Sequence, residues 1–233
     1  LDDLDTLNKD PLIYAYMSDD LGASAREETL AGIERVVFDT DGDYRSLLTG
    51  REVYVDRRLA AIYDIPAPSM DGFGWTTLPD DGVRQGLLGQ VGILALYAHA
   101  TSTSVTLRGI FVREVLLCQK IPAPPSDVDT SIPEVSDDAL TTRERGAAHL
   151  EEPSWAACHQ FTDPIGLGLE NFDGIGRWRT TENGATIDPS GDLDGESFAD
   201  AAALSEAIAA HPSFGTCLSQ TLLRYGTGST LQD

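Results

Sequence analysis

Apolar residues recur every three or four positions in the first part of the chain, which predicts helices there. After Ser24, the acids Glu27 and Glu28 precede apolar residues at positions 30, 33, 36 and 37. A serine cap, acids in the first turn and this spacing are typical of a helix that begins at Ser24. Residues 44–48 and 55–63 are predicted to form two further short helices.

The middle of the chain alternates between breaker-rich and apolar stretches. Residues 64–86 are rich in Pro, Gly and Asp, which predicts a connecting loop. Residues 86–96 are apolar, and their pattern leaves both a strand and a buried helix open. Ser104 then caps a predicted helix that runs to Cys118. The proline run that follows should be extended, and residues 126–138 should form an acidic surface linker.

The C-terminal part combines helical patterns with one hairpin signal. Helices are predicted over residues 141–149, 153–160 and 197–210, and a last one begins at Pro212. Asn183-Gly184 lies between two short extended runs, which is typical of a β-hairpin. The sequence therefore predicts a mainly α protein with a small β-hairpin.

The composition indicates a folded protein with a strongly acidic surface. The chain has 233 residues, of which 41% are hydrophobic, enough for one domain or two small ones. Its net charge of −22 argues against nucleic acid or an anionic membrane surface as a partner. No apolar run approaches the roughly 20 residues that span a bilayer, so no membrane span is expected. No basic leader segment is visible, and a chain whose leader had been removed would look the same.

The most informative stretch runs from Trp155 to Cys158-His159. It corresponds to the c-type haem attachment pattern C-x-x-C-H with tryptophan in place of the first cysteine. Cys158 can still form one thioether, and His159 can still be the proximal iron ligand. Trp155 would pack on the porphyrin or, in a chain without haem, fill the space left by it. Without the upstream cysteine, a Cys-His pair on a helix also occurs by chance.

A low-spin haem site needs a second axial ligand. His149 and His99 are the first candidates, followed by Met70, and Met17 and His211 are also present. A lone histidine is more often a surface or capping residue than a ligand.

The other two cysteines, Cys118 and Cys217, form an even pair if Cys158 holds haem. A disulfide between them would suit an oxidising compartment. Three separate buried thiols are the alternative, since free cysteine is often buried in cores.

Asp188, Asp192 and Asp194 lie in a glycine-containing loop whose alternate oxygens could wrap a calcium ion. The alternative is a loop of Asx turns that caps the helix at Ser197. Neither a nucleophile elbow nor a phosphate-binding glycine loop is present in the sequence, which disfavours hydrolase and nucleotide chemistry.

Several stretches, in the same order, resemble the planctomycete-type cytochrome c family, whose members are large secreted proteins of unknown function. These stretches cover roughly residues 85–229. They are residues 103–114 with the proline run at 122–125, residues 142–149 leading to Cys158-His159, residues 163–179, residues 187–198, and residues 217–225. The main departure from the family pattern is Trp155, which stands at the first haem cysteine.

The resemblance implies a division of the chain into three parts. Residues 1–65 would be the tail of a helical domain, and residues 66–133 the first part of a helical cytochrome-like domain with a proline-rich exit. Residues 134–233 would hold the haem motif, the hairpin and the C-terminal helices. Most of the helical domain that precedes this region in the family is expected to be missing, so the rest of a parent protein is one candidate partner.

The resemblance also implies a cytochrome-c-like C-terminal part, haem c as cofactor and a periplasmic or extracellular location. The first functional hypothesis is an electron-transfer module that acts with a redox partner or other protein subunits. The second is a haem-free structural subunit of the same family. The third is a calcium-dependent, carbohydrate-associated domain that uses the loop at 188–194.

Overall fold

In the computed structural model of the chain, residues 1–40, 42–80, 83–121, 135–136, 139–149 and 153–228 are described. For residues 148–149 and 153–158 the description covers the helical backbone only. The proline run at 122–125 and nearly all of the predicted linker at 126–138 lie outside the described residues.

The described part of the chain is about half helical, which confirms the predicted mainly α class. Its α-helices, in chain order, are α1 (Leu21–Glu34), α2 (Ser46–Thr49), α3 (Arg57–Tyr63), α4 (Val91–Leu96), α5 (Val105–Ile110), α6 (Thr142–His149), α7 (Pro153–Leu167), α8 (Ala201–Ala210) and α9 (Pro212–Thr227). Helix α1 continues as a π-helical turn over Arg35–Asp39, and α5 continues in the same way over Phe111–Leu116. Short 3-10 helices cover Asp2–Thr6 and Leu87–Gly89. Residues 86–96 are thus helical rather than extended.

The strands form three antiparallel pairs. They are β1 (Glu52–Val55) with β2 (Gly74–Thr77), β3 (Thr181–Glu182) with β4 (Ala185–Thr186), and β5 (Gly191–Leu193) with β6 (Glu196–Phe198). The hairpin predicted around Asn183-Gly184 is the β3–β4 pair, and both turn residues have positive φ, as a type I′ turn requires.

Two helix starts differ from the sequence prediction. Helix α1 begins at Leu21, after Asp20, and not at Ser24. Ser24 lies inside the helix, where its hydroxyl donates to Asp56 Oδ2 at 2.8 Å. Asp56 in turn caps α3 through the backbone N–H groups of Arg58 and Leu59, so the predicted helix at 55–63 begins only after Val55 has ended β1.

Of the other predicted helix boundaries, some are confirmed and some are wrong. The predicted helix start at Ser197 is wrong, because Ser197 lies in β6 and Asp200 caps α8. The cap predicted at Ser104 is confirmed, since its Oγ accepts from the N–H of Leu107 at 3.2 Å. Helix α7 extends to Leu167, well beyond the predicted end at residue 160.

Two adjacent clusters of buried side chains form the core. One joins α2, α4, the π-helical turn after α5, α7, α8 and α9 around residues such as Leu94, Ile165 and Leu204. The other joins α1, β1, α3 and the N-terminal segment around Leu21, Val55 and neighbours. Among the described residues, no helix is both long and apolar enough to cross a bilayer.

Helices α5 and α7 cross with their backbones in direct contact. A Cβ on Gly109 would overlap with the carbonyl of Thr162, and a Cβ on Gly166 would overlap with the carbonyl of Val105. The two glycines therefore set the distance between these helices, and hence the position of every side chain between them.

Replacing Gly166 with alanine is expected to lower the free energy of unfolding by about 2–3 kcal/mol, because the added methyl group would force the two helices apart. Chemical denaturation of the purified chain measures this change. Gly146→Ala in α6 is the matched control: a Cβ there meets no atom within 4 Å, so the higher helix propensity of alanine should leave stability unchanged or slightly raised. Equal midpoints for the Gly166 variant and the native chain would contradict the close helix contact.

Candidate functional site

His159 occupies the middle of α7, one turn before Asp163. Its Nδ1 lies 2.7 Å from Asp163 Oδ2, and the two side chains are 17% and 11% exposed. Residues four apart share one face of a helix, so helix α7 by itself brings them together. Because a carboxylate oxygen accepts hydrogen bonds, the proton of this contact belongs to His159 Nδ1.

A second helix completes this group. Thr106 of α5 donates from Oγ1 to Asp163 Oδ1 at 2.9 Å, and the same oxygen lies 3.4 Å from His159 Nδ1. Thr162 donates to Asp163 Oδ1 at 3.1 Å. Asp163 thus accepts from three side chains, and the orientation of the imidazole depends on the α5–α7 contact. We call His159, Asp163, Thr106 and Thr162 the His159 group.

The remaining members of the predicted haem motif fall where side chains are not described. Trp155 and Cys158 lie on the first two turns of α7, and His149 is the last residue of α6. Their backbone is helical, and their side chains lie outside the described residues. The motif is therefore carried by a continuous helix that leads directly into His159.

The other candidate ligands have separate environments. His99 is exposed in the connection between α4 and α5, where its carbonyl accepts from Lys9 Nζ at 2.8 Å. His211 caps α9 by accepting from the N–H of Ser213 at Nδ1, and its Nε2 lies 3.2 Å from Asp194 Oδ2. Met70 is 87% exposed, whereas Met17 packs against the core. Among the described side chains, no hydrogen bond joins His99 to His159.

Cys118 and Cys217 form a disulfide, with Cα atoms 5.3 Å apart. It joins the segment after the π-helical turn of α5 to the buried face of α9. The three cysteines are therefore not three separate thiols.

The three aspartates of the predicted calcium loop do not converge. Asp188 accepts from the N–H of Ser190, and Asp192 accepts from the N–H of Gly195. Asp194 pairs with Arg113 at 2.7 Å. Across the described residues, no group of three or more His, Cys, Asp or Glu side chains is placed to hold a metal ion. These contacts stabilise the β5–β6 hairpin, and hydrogen bonds from Ser190 lower the pKa of Asp188.

A buried charged network joins Arg108, Glu170 and Arg179, and the sequence pointed to its Glu170–Arg179 pair but not to the burial of Arg108. Arg108 of α5 is 1% exposed and donates to the carbonyls of Leu169, Phe172 and Asp173 at 2.7–2.8 Å. Glu170 is equally buried and pairs with Arg179 at 2.9 Å. The only sequence signal for Arg108 is its place between the apolar residues of a helix that packs into the core.

Comparison with known families matches two segments of the chain. Residues 84–182 match PSCyt3, a protein family of unknown function (DUF1588), and residues 1–65 match PSD4, also of unknown function (DUF1592). No curated protein and no solved structure matches the chain. The matched segments include α5, α6, α7 and the His159 group. The chain therefore combines segments similar to two domain families associated with planctomycete cytochrome c proteins, which is the level at which its resemblance to that family is confirmed.

Proposed function

We propose that this protein is a cytochrome-c-like electron-transfer module in which His159 is the proximal iron ligand. The observation that carries the proposal is the 2.7 Å contact between His159 Nδ1 and Asp163. Histidines that bind metals usually donate their other ring N–H to a carboxylate or carbonyl, which orients the ring and raises its basicity. The His159 group supplies that arrangement with Nε2 as the ligating atom.

His159, which Asp163 and Thr106 contact at Nδ1, fits the part of an imidazole ligand to iron. Cys158 would supply a single thioether, Trp155 would pack on the porphyrin, and His149 or His99 would be the second iron ligand. When bound, haem c supplies a one-electron couple at iron. The chain's own part is to hold the His159 ring rigidly through Asp163 and Thr106, so that little reorganisation accompanies a change of charge.

An oxidising compartment, periplasmic or extracellular, belongs to the same proposal. Support comes from the Cys118–Cys217 disulfide, since such bonds persist mainly outside the reducing cytosol. The net charge of −22 would favour a redox partner or subunit with a basic surface.

The direct test is an absorption spectrum and pyridine haemochrome, with an intact mass, on chain produced together with a cytochrome c maturation system. A single thioether predicts a mass increase of one haem and a shifted α-band. In the haem-loaded chain, Asp163→Asn should raise the reduction potential, because a neutral amide donates less electron density to the imidazole and stabilises the oxidised iron less. His159→Ala should abolish the native spectrum.

His211→Gln is the matched control, since both of its ring nitrogens are already engaged by Ser213 and Asp194. It should leave the Soret band and the potential unchanged. An unmodified mass without a Soret band would exclude electron transfer through haem, and a His159→Ala variant with an unchanged spectrum would exclude this ligand.

A haem-free structural module is the second candidate, favoured by the hydrogen bonds that Thr106 makes across the α5–α7 contact. In that case the His159 group would serve only to join the two helices. Asp163→Asn would then destabilise a colourless chain, and the chain prepared from its natural source would carry no haem.

A further inference from the structure

A polar cleft of about 590 Å³ opens beside the buried charged network. Its walls come from the N-terminal segment, the connection before α5, the turn at residues 173–174 and the β3–β4 hairpin. Polar residues of the lining include Tyr14, Thr101, Ser102, Asp173, Arg179 and Thr181. The volume is in the range of small-molecule sites.

Tyr14 contributes a hydroxyl donor to the cleft. The side chain is 6% exposed and belongs to the N-terminal core cluster. Its hydroxyl makes no hydrogen bond with any described residue, although it lines the cleft. Gly174 brings the cleft floor against this hydroxyl, because a Cβ at that position would overlap with Tyr14 Oη. Burial and the nearby Asp173 raise the pKa of Tyr14 to about 12, so the hydroxyl stays protonated.

Arg179 contributes a fixed cation on the same wall. Its Nε donates to the carbonyl of Glu170 at 3.0 Å, and its Nη2 donates to Glu170 Oε2 at 2.9 Å. These two bonds lock the guanidinium plane, while the side chain remains 25% exposed in the cleft. No hydrogen bond from Nη1 to any described residue is present, so this donor is available to a ligand.

The charges that line the cleft favour an acidic ligand over a cationic one. Glu170 is shared between two guanidinium groups, those of Arg108 and Arg179. Asp173 uses Oδ1 to accept from the N–H groups of Ile175 and Arg177, which partly neutralises it. The other carboxylate of the lining, Glu182, pairs with Arg145 at 2.7 Å. In a chain of net charge −22, both carboxylates of the cleft are thus already engaged, and Arg179 is the cation that a negative group would meet.

We infer that the cleft binds a small hydroxy carboxylate, whose carboxylate accepts from Tyr14 Oη and Arg179 Nη1. Arginine is suited to planar carboxylates, and hydrogen bonds to a charged group are the strong ones. The hydroxyls of Thr101, Ser102 and Thr181 would meet the hydroxyl groups of the ligand. This inference does not depend on whether the chain carries haem.

Isothermal titration of the full chain with three matched probes tests the ligand class. Gluconate carries both a carboxylate and hydroxyls, hexanoate lacks the hydroxyls, and sorbitol lacks the carboxylate. Gluconate should bind saturably and more tightly than either of the others, and its affinity should fall as salt is added. No saturable heat with gluconate would overturn the inference, as would inorganic phosphate that binds equally well and is insensitive to the variants below.

Tyr14→Phe should weaken gluconate binding about tenfold, the expected loss of one hydrogen bond to a charged group. The melting temperature of the Tyr14→Phe variant should stay at the native value, because the hydroxyl makes no hydrogen bond with any described residue. Tyr54→Phe is the matched control on β1, and it should change neither binding nor melting. Arg179→Lys, which keeps the charge and loses the fork, should also weaken binding at least tenfold.

Tyr14→Phe and Arg179→Lys test the inference independently of each other. If Arg179→Lys does not fold, because Glu170 loses part of its pairing, Tyr14→Phe carries the test alone. Native affinity in Tyr14→Phe would overturn the assignment of this hydroxyl to the ligand. A lowered melting temperature of Tyr14→Phe without ligand would show that the hydroxyl serves the fold instead.

Discussion

Removing the Cys118–Cys217 disulfide is expected to lower the free energy of unfolding by about 4–5 kcal/mol. The bond joins residues 99 apart in the sequence, and closing a loop of about 100 residues removes this much chain entropy from the unfolded state. Cys118→Ala combined with Cys217→Ala in one chain is the variant of choice, since a single replacement leaves a thiol free to exchange with Cys158. Guanidinium denaturation measures the change.

As a control, the native chain and the double variant are denatured with guanidinium at increasing concentrations of a reductant. Dithiothreitol should lower the midpoint of the native chain to that of the double variant and leave the double variant unchanged. A double variant that unfolds at the native midpoint would contradict a structural role of this bond. A changed slope with denaturant would instead show that the unfolded state has become less compact.

The second large effect is a loss of stability as pH rises, caused by Glu28. Its carboxyl is fully buried on α1 and accepts from the hydroxyl of Tyr63 at 2.7–2.8 Å. The guanidinium of Arg84 lies over the Tyr63 ring at 4.1 Å, and Asp56 is also near. Burial raises the pKa of Glu28 from 4.5 to about 8 despite the bond from Tyr63 and the charge of Arg84.

The direction of this pH dependence follows from the protons that Glu28 binds in the native and unfolded states. Between pH 4.5 and about 8 the native state keeps a proton that the unfolded state has released. The free energy of unfolding therefore falls as pH rises through this window, by about 4–5 kcal/mol in total, and is flat with respect to this group on either side.

Glu28→Gln should remove that dependence, because glutamine is neutral and has nearly the same shape. The variant should match the native chain near pH 4.5 and exceed its stability by several kcal/mol at pH 8–9. Denaturation midpoints from pH 4.5 to 9 measure the difference. Glu27→Gln, on the exposed face of the same helix, should run parallel to the native profile. Parallel profiles for Glu28→Gln as well would show that Glu28 is ionised in the folded protein.

Signals that act over a few residues were readable from the sequence. The turn at Asn183-Gly184 follows from the tolerance of both residues for positive φ, and the cap at Ser104 follows from one side chain and one nearby N–H. The pairing of His159 with Asp163 was not among these signals, because the predicted helix ended at residue 160 and α7 reaches Asp163 only in the structure. A turn and a helix cap depend on the local backbone geometry alone, which does not change with the position of the segment in the fold.

Errors arose where a distant partner competed for the same group. Ser24 has the sequence signature of a helix cap, yet its hydroxyl is taken by Asp56, 32 residues away, and the helix begins earlier. Strand β2 lies in a stretch read as a loop because its four residues are extended only through pairing with β1. Neither the Ser24–Asp56 hydrogen bond nor the pairing of β2 with β1 produces a periodic pattern in the sequence.

The helical class, the β3–β4 hairpin and the acidic charge follow from the amino-acid sequence alone. The contacts of Asp163 with His159 and Thr106, the pairing of Cys118 with Cys217, and the separate partners of the aspartates at 188, 192 and 194 depend on how the chain packs. The same packing places Tyr14 and Arg179, 165 positions apart by their numbers, on one cleft. Local propensities act within a turn or two of the chain, whereas burial and long-range hydrogen bonds are set by which segments pack together.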